Sequence, residues 1–301
     1  IFFLIYGKIN GVIDPANNKE IIIQKITIDK NIYKIFSVLN GVLYTNRIHD
    51  TAIILKDKIV DGPSFQYRYY KGNNSIVKSN ENIIFKTGTP RIKRKLKGNV
   101  LSLLTGGGGN DNYFHWLFDV LPRLGIIEKN MSFDKIDYFI LPNMAHKFQL
   151  QTLDLLNIPE DKRLSSVVFR HISANNLIST THPYVVKDPV LDIQTIPGWI
   201  SEWLKGKFWN KSDNTQYPKN IYIEREKNNN NLNGRSIINE KEVKDFLLSK
   251  NFQPVMLKEL NFINQVQLFR QANFVAGLHG AGFANLAFCN KDTQILEIKS
   301  N

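Results

Sequence analysis

A histidine and an aspartate one helical turn apart are the first residues whose types and spacing could carry out chemistry. Residues 112–119 read Asn-Tyr-Phe-His-Trp-Leu-Phe-Asp, so Asn112, His115 and Asp119 recur at intervals of three and four residues. A helix would place these polar side chains on one face of an otherwise aromatic segment. A carboxylate can orient or polarise an imidazole, which is the pairing that a general base requires. The alternative is a buried histidine that bonds to a carboxylate for packing alone.

A second group follows an apolar strand near the end of the sequence. Phe274–Leu278 is apolar throughout and leads into His279, Gly280 and Gly282 before a predicted short helix. Glycine lets a ligand approach the backbone closely, and the first N–H groups of a helix attract anions. We therefore expect a diphosphate site here, with His279 at the strand tip. The segment matches neither the dinucleotide fingerprint nor the P-loop, and a tight turn with glycines for packing is the alternative.

Two arginines and a glutamate could complete this site. Arg225 lies just past a predicted strand at 221–223, and Arg235 lies ten residues further on. An arginine at the carboxyl end of a parallel strand can bind phosphate oxygens through paired hydrogen bonds. Glu297, at the end of the last predicted strand, could accept hydrogen bonds from ribose hydroxyls. Ordinary surface positions are the alternative for all three residues.

No metal or disulfide chemistry is predicted. The sequence lacks H-x-x-x-H, C-x-x-C and D-x-D spacings, which would indicate metal ligands. Its one cysteine, Cys289, excludes an intrachain disulfide. We expect this cysteine to be a small buried side chain.

The scaffold that positions these residues is predicted to be α/β, in three parts. Residues 1–99 read as a β-rich lead-in of short antiparallel strands. Residues 100–210 begin with a strand, four glycines at 106–109, a helix and a second strand, and end in a connecting helix. Residues 211–301 alternate four strands with three helices, which predicts a parallel, doubly wound sheet. Pro122 lacks an N–H group and is expected to bend or end its helix near Asp119.

Composition and charge restrict the class of protein. Of 301 residues, 39 are Lys or Arg and 27 are Asp or Glu, giving a net charge of +12, and 43% are hydrophobic. This apolar content excludes a disordered chain, and no apolar run approaches the ~20 residues that span a bilayer. Much of the positive charge is Lys scattered among polar residues, for which a solvated surface is the default interpretation; otherwise it suits a phosphorylated substrate, an anionic membrane surface or nucleic acid. Nucleic acid is not expected, because the densest basic cluster, at 91–97, has no aromatic side chain for base stacking.

Both groups of residues resemble signatures of one family. The segment Asn112-x-x-His115-Trp116-x-x-Asp119-x-x-Pro122-Arg123-Leu124 is similar to the N-terminal signature of family-61 glycosyltransferases, which include proteins of bacterial capsular polysaccharide biosynthesis. The C-terminal signature resembles, in order and spacing, Tyr222-Ile223-x-Arg225, Arg235-x-Ile237-x-Asn239-Glu240, Gln265-x-x-x-Phe269-x-x-Ala272, His279-Gly280-Ala281-Gly282-x-x-Asn285 and Glu297-Ile298. The resemblance covers about residues 100–298.

The resemblance implies a GT-B-like architecture, in which two Rossmann-like domains face a cleft. It implies inverting, metal-independent transfer of a hexose or pentose from a nucleotide sugar, with a UDP-sugar as the expected donor and no cofactor. The donor and its phosphates would be bound by Arg225, Arg235, His279, Gly280, Ala281, Gly282, Asn285 and Glu297. The acceptor, a free or lipid-linked saccharide, would contact Asn112, Trp116 and Arg123. We expect a cytoplasmic enzyme, or one peripheral to the inner face of the membrane, whose C-terminal domain is truncated at Asn301.

Two assignments of the catalytic base stay open at this point. Either His115 takes the acceptor proton and Asp119 orients it, or Asp119 is the base and His115 positions the sugar. We favour the first, because an imidazole titrates near neutral pH whereas a carboxylate would need its pKa raised. A non-catalytic nucleotide- or saccharide-binding protein of the same fold is the alternative function. A nicotinamide oxidoreductase is disfavoured by the missing dinucleotide fingerprint.

Overall fold

A computed structural model describes most of the chain, as two compact units. The described residues are 7–47, 50–64, 66–70, 73–104, 112–184, 196–211, 215–224 and 237–299. The first unit comprises Ile1–Gln149 and Asn157–Ile200, and the second comprises Leu150–Leu156 and Ser201–Asn301. No helix within the described ranges is long and apolar enough to cross a membrane.

The first unit is built on a mixed sheet, to which ten strands of the described residues contribute. Their bounds are β1 Val12–Ile13, β2 Ile21–Ile28, β3 Asn31–Leu39, β4 Val42–Arg47, β5 Asp50–Leu55, β6 Lys58–Val60, β9 Arg94–Ser102, β10 Tyr138–Leu141, β11 Arg163–Ser165 and β12 His171–Thr180. A separate hairpin joins β7 Gln66–Tyr70 to β8 Asn73–Val77. The predicted β-rich lead-in is therefore present, with antiparallel pairs from β2 to β6.

Strand β12 joins the antiparallel and parallel parts of this sheet. Along one side it pairs in parallel with β9. Along the other side it pairs antiparallel with β4 at its beginning and with β3 at its end. Strands β9, β10 and β11 are parallel to one another. Strand β9 continues through residues 99 and 100, where the lead-in was expected to end, so the lead-in and the segment after it share one sheet.

Short helical segments and one longer helix cover the first unit. Three consecutive segments, Tyr113–His115, Trp116–Val120 and Leu121–Glu128, form what we call the site helix. Its last segment contacts β12 and β3, and the side chains at 121–127 are buried or nearly so on all sides, as expected of a helix inside a core. The remaining segments are Pro15–Asn17, Ser79–Glu81, Ile84–Thr87, Phe133–Lys135 and Glu160–Lys162.

The second unit contains the predicted parallel sheet of four strands. They are β13 Asn220–Ile223, β14 Gln253–Val255, β15 Phe274–Leu278 and β16 Gln294–Ile298, and their order in the sheet is β14-β13-β15-β16. The connections are α2 Glu240–Ser249, α3 Phe262–Gln271 and a 3-10 helix, Ala281–Phe288, with a further 3-10 turn at Leu257–Glu259. The other helices are α1 Gly198–Phe208, confirmed where predicted, and Lys147–Leu155, each of which has residues assigned to both units.

Gly98, within β9, occupies a position that requires glycine. Gly98 has φ +79°, and a Cβ added there would lie 1.9 Å from Oδ2 of Asp137. That carboxylate oxygen accepts a 2.7 Å hydrogen bond from the N–H group of Asn99, and Gly98 donates to Oδ1 of Asn175, where β12 shifts register. Only glycine meets both the backbone angle and the space available here.

We predict that Gly98→Ala lowers the free energy of unfolding of the first unit by about 2–4 kcal/mol, from left-handed backbone strain and loss of the Asp137 contact. Urea denaturation followed by fluorescence measures this. Gly198→Ala is the matched control in the same unit, since Gly198 has ordinary φ and open space around it. Equal stability of the two variants would contradict the prediction.

Candidate active site

The site helix begins and widens in a way that its sequence explains. Asn112 caps it, since its side-chain oxygen accepts a hydrogen bond from the N–H group of Phe114. Residues Trp116–Val120 form a π turn, in which the N–H group of Leu121 donates to the carbonyl of Trp116. Pro122 follows directly. The helix was expected to bend or end near Asp119, but it continues to Glu128, because the π turn shifts the bonding register just before the proline.

His115 and Asp119 are in direct contact on this helix. Nδ1 of His115 lies 2.6 Å from Oδ2 of Asp119. The Asp119 side chain is 5% exposed, whereas the His115 side chain is 21% exposed. The predicted pairing of imidazole and carboxylate is therefore present, and the imidazole is the more accessible partner.

The other oxygen of Asp119 is held by residues that follow β12. The hydroxyl of Tyr184 donates a hydrogen bond to Oδ1 of Asp119. Nε2 of His182 lies 3.9 Å from the same oxygen, and the ring edge of His182 packs on Tyr184 with centroids 4.4 Å apart. Sequence analysis missed both residues. No local signal marks them, because each is more than sixty positions from Asp119.

Arg123 adds a buried positive charge beside this carboxylate. Its Nε donates to the backbone carbonyl of Asp119 at 2.8 Å, and Nη1 donates to the carbonyl oxygen and to the hydroxyl of Thr180 at 3.4 and 3.5 Å. The side chain therefore links the site helix to the end of β12. A buried guanidinium is stable only when several acceptors surround it.

The charges in this cluster shift three pKa values. Burial raises the pKa of Asp119, but the hydrogen bond from His115, the charges of His182 and His115 and the Tyr184 hydroxyl outweigh burial and lower it. Burial lowers the pKa of His115, but the bond and charge of Asp119 outweigh it and raise the value above 6.5. Burial lowers the pKa of His182 to about 4. The charge of Asp119 opposes this shift and the charge of Arg123 adds to it. Asp119 is thus anionic and His182 neutral near pH 7.

The three residues predicted to contact the acceptor do not lie on one surface. Asn112 is exposed and acts as the helix cap. Trp116 and Arg123 are both 0% exposed, and Trp116 packs near the edge of Phe148. The expectation that these two side chains touch an acceptor is therefore corrected: they hold the site helix in the core of the first unit.

The second unit has a pocket at the carboxyl ends of its central strands. The pocket has a volume of about 270 Å³ and is lined by Ile223, Glu224, Met256, Leu257, Lys258, Leu278, Gly282 and Phe283. Strand β13 comes first in the chain, and the chain then builds β14 on one side of it and β15 on the other. The pocket therefore lies where the strand order reverses, which is where open α/β sheets bind ligands.

His279 follows Leu278, one of the residues that line this pocket, and has a carboxylate partner. Its Nδ1 is 2.6 Å from Oε1 of Glu297, and Lys299 lies 2.9 Å from the other oxygen of that carboxylate. Burial raises the pKa of Glu297, but the bonds from His279 and Lys299 outweigh it, so the carboxyl is held ionised. Glu297 was expected to bind ribose; within the described residues its Oε1 contacts His279 and its Oε2 contacts Lys299.

The glycine loop after His279 is fixed by hydrogen bonds and packing within the second unit. Gly280 precedes the 3-10 helix that starts at Ala281, and its carbonyl accepts from Phe283. A Cβ on Gly282 would lie 2.9 Å from Cδ1 of Leu257 across the pocket. Asn285 was expected to bind the donor, but it is fully buried and donates to Gln265 and to the carbonyl of Gly282. We correct its role to supporting the loop.

Two predicted phosphate ligands cannot be placed. Arg225 and Arg235 lie outside the described residues, as does the glycine run at 106–109. Cys289 is buried as expected, and burial raises the pKa of its thiol to about 11. Across the parts of the chain that the structure describes, no group of three or more His, Cys, Asp or Glu side chains is arranged to hold a metal ion.

The protein is mixed α/β. Its first unit has a paired imidazole and carboxylate, and its second unit has a pocket at the strand ends, features that a transferase can use. The sequence profile of the glycosyltransferase 61 family matches residues 113–296, more than half of the chain. The chain belongs to glycosyltransferase family 61, as its signatures suggested, and membership implies glycosyltransferase activity. No curated protein sequence matches the chain.

Acid should destabilise the first unit through His182. Because its pKa is about 4 in the folded protein and 6.5 in the unfolded chain, the unfolded state takes up a proton first as the pH falls. By linkage, this difference in pKa contributes about 3 kcal/mol to the free energy of unfolding. The contribution is fully present above pH 6.5 and is lost as the pH falls toward 4.

We predict that His182→Gln removes about 2–3 kcal/mol of the stability difference between pH 7 and pH 4.5. Denaturant unfolding of parent and variant at both pH values measures it. His146→Gln, at an exposed histidine of the same unit, should follow the parent. An unchanged difference in the His182 variant would show that this imidazole does not resist protonation.

Proposed function

We propose that the protein is an inverting glycosyltransferase that moves a hexose or pentose from a nucleoside diphosphate sugar to a saccharide hydroxyl. One observation carries the proposal: Nδ1 of His115 is bonded to a buried carboxylate, which leaves Nε2 as the basic atom of a partly exposed imidazole. The family membership supplies the reaction class. A UDP-sugar donor, metal independence and a role in capsular or other surface polysaccharide synthesis extend the proposal from the resemblance of the signatures.

The contacts of Asp119 favour His115 as the catalytic base. One carboxylate oxygen is bonded to His115 and the other accepts from Tyr184. A proton from an acceptor hydroxyl would have to displace one of these donors to reach Asp119, and burial keeps that carboxylate from solvent. Its lowered pKa also makes it a weak base. Asp119 is instead suited to hold His115 in the tautomer with hydrogen on Nδ1.

The proposed step is a single displacement. The acceptor oxygen attacks the anomeric carbon while Nε2 of His115 removes the hydroxyl proton. The bond from the anomeric carbon to the diphosphate oxygen breaks, and its electron pair leaves with the nucleoside diphosphate. Charge stabilisation of the imidazolium that forms comes from Asp119, and a positioned base of this kind contributes roughly 10²–10⁴-fold to the rate.

The pocket of the second unit is the proposed donor site. Apolar residues at the ends of β13 and β15, with Leu257, would contact the nucleoside, and His279, which follows Leu278, would donate from Nε2 to the diphosphate. Glu297 would orient His279 through Nδ1, as its 2.6 Å contact supports. The proposal places the donor on one unit and the base on the other, which is the division of labour of a GT-B enzyme.

The base assignment is tested by three substitutions. We expect His115→Ala to lower kcat by at least about 10²-fold, the contribution of a general base, with UDP affinity intact. Asp119→Asn should retain measurable turnover, and the acid limb of its kcat/KM profile should move to lower pH, because Asp119 is what raises the His115 pKa above 6.5. In the parent, activity should rise with pH through a limb above 6.5.

The control for these kinetics is His146→Ala, which changes an exposed histidine of the same unit. The roles of the pair are reversed if Asp119→Asn is as inactive as Asp119→Ala while His115→Gln keeps substantial turnover. Nucleotide-sugar binding without turnover by the parent protein, across a panel of donors and acceptors, would instead indicate a non-catalytic binding protein.

The donor site is tested by binding alone. We expect His279→Ala to weaken UDP binding by about 1–3 kcal/mol, the range of a charge-assisted hydrogen bond. Glu297→Gln should cause a smaller loss, since it removes orientation and leaves the imidazole. Calorimetric titration with UDP and with uridine separates the phosphate contribution, because uridine affinity should change little. If both variants bind UDP like the parent, His279 is not a phosphate ligand.

A further inference from the structure

The first unit carries a basic surface that the transfer reaction does not use. It is formed where the chain enters β9 and β12, by the exposed side chains of Arg91, Lys93, Arg94, Lys95 and Lys97 with half-buried Arg170. The segments that supply it, residues 88–98 and 163–173, contain no Asp or Glu. We call these six side chains the basic patch.

Three aliphatic side chains stand out into solvent beside the basic patch. Ile92 is 91% exposed, and Val167 and Val168 are 49% and 55% exposed. An isoleucine with almost all of its surface in water, between two cations in sequence, gains nothing from folding. The two valines are adjacent at the tip of a single turn.

Contacts within the unit place Arg91 and Arg94 beside the start of β12 and the turn before it. The carbonyl of Arg91 is 2.8 Å from Nδ1 of His171, the first residue of β12. The guanidinium of Arg94 lies over the ring of Phe169, 4.9 Å from its centroid. Phe169 follows Val168 directly, so the aliphatic turn and the start of β9 are neighbours.

The turn that presents the valines is well braced. The N–H groups of Val168 and Phe169 both donate to the carbonyl of Ser165, and Nε of Arg170 donates to the carbonyl of Val167 at 3.1 Å. The exposure of the valines is therefore a property of a bonded turn. Aliphatic groups held outward beside cations are the combination that enters the interface of an anionic bilayer.

We propose that the basic patch, with Ile92, Val167 and Val168, docks the protein on an anionic membrane surface. The cations would lie among lipid phosphates while the three aliphatic side chains enter the boundary of the acyl chains. Nucleic acid fits less well, because the Phe169 ring beside the patch is half-buried and covered by Arg94. The docking surface lies where β9 and β12 begin. The His115–Asp119 pair instead contacts residues that follow the other end of β12. Docking is independent of the proposed transfer reaction.

The test uses vesicles and needs no turnover. We expect the whole chain to cosediment with vesicles containing phosphatidylglycerol, to ignore pure phosphatidylcholine vesicles, and to release as salt is raised. Lys93→Gln with Lys95→Gln should weaken binding at least about tenfold, since each cation near an anionic surface contributes several-fold. Ile92→Ser should weaken binding while the salt dependence persists. Turnover of a water-soluble acceptor should be unchanged in both variants.

The matched control is Lys241→Gln with Lys250→Gln, which removes the same charge from exposed positions of the second unit. An equal loss in the control would overturn the proposal, because net charge alone would then explain binding. Equal binding to phosphatidylcholine vesicles would overturn it too. The proposal would also be overturned if a short DNA duplex displaced the protein from vesicles and bound the same variants more weakly. That result would assign the surface to nucleic acid.

Discussion

The Asp119 carboxylate is the constraint on which the first unit depends. A buried ion needs a donor for each oxygen, and here the donors come from two places that are far apart in the chain: His115 from the site helix and Tyr184 from the segment after β12. Arg123 adds a second connection, from the same helix to Thr180. Removing one partner of a buried charge typically costs about 3–5 kcal/mol. The geometry of the helix and the end of β12 is therefore set by the same contacts that orient His115.

The two imidazoles of the candidate sites are held in the same way but for different purposes. His115 and His279 each have Nδ1 2.6 Å from a carboxylate oxygen. Around His115 the partner is buried, so the bond shifts pKa values and contributes to stability. The His279 side chain is 50% exposed and its partner is 26% exposed, so solvent screens the pair and little stability follows. Under the proposed function this pair would only orient His279 toward phosphate oxygens, whereas a base also requires a tuned pKa.

Patterns over a few neighbouring residues predicted the strands and helices that form through local interactions. The apolar run Phe274–Leu278 and the alternation of strands and helices predicted the parallel sheet of the second unit, because such elements repeat over short windows. Strand β12 was missed, since Asn175 and Asn176 are poor strand formers. Oδ1 of Asn175 accepts from the N–H group of Gly98, and Nδ2 of Asn176 donates to Oδ1 of Asn99, contacts that no local pattern shows. Tyr184 was missed for the same reason: it meets Asp119 across 65 positions of sequence.

Pro122 was expected to bend or end the helix near Asp119; the regular α-helical bonding is interrupted there by a π turn, and the helix then continues to Glu128. A proline ring excludes the carbonyl of the fourth preceding residue, so in a regular α-helix it would distort the turn containing Phe118 and Asp119. The chain instead widens that turn before the proline, with Leu121 donating to Trp116 five residues back. The widened turn lets the helix continue into the core and leaves the carbonyl of Asp119 to accept from the side chain of Arg123. The proline thus imposes the local geometry that gives a buried arginine its acceptor, and sequence alone shows only that the regular helix cannot persist there.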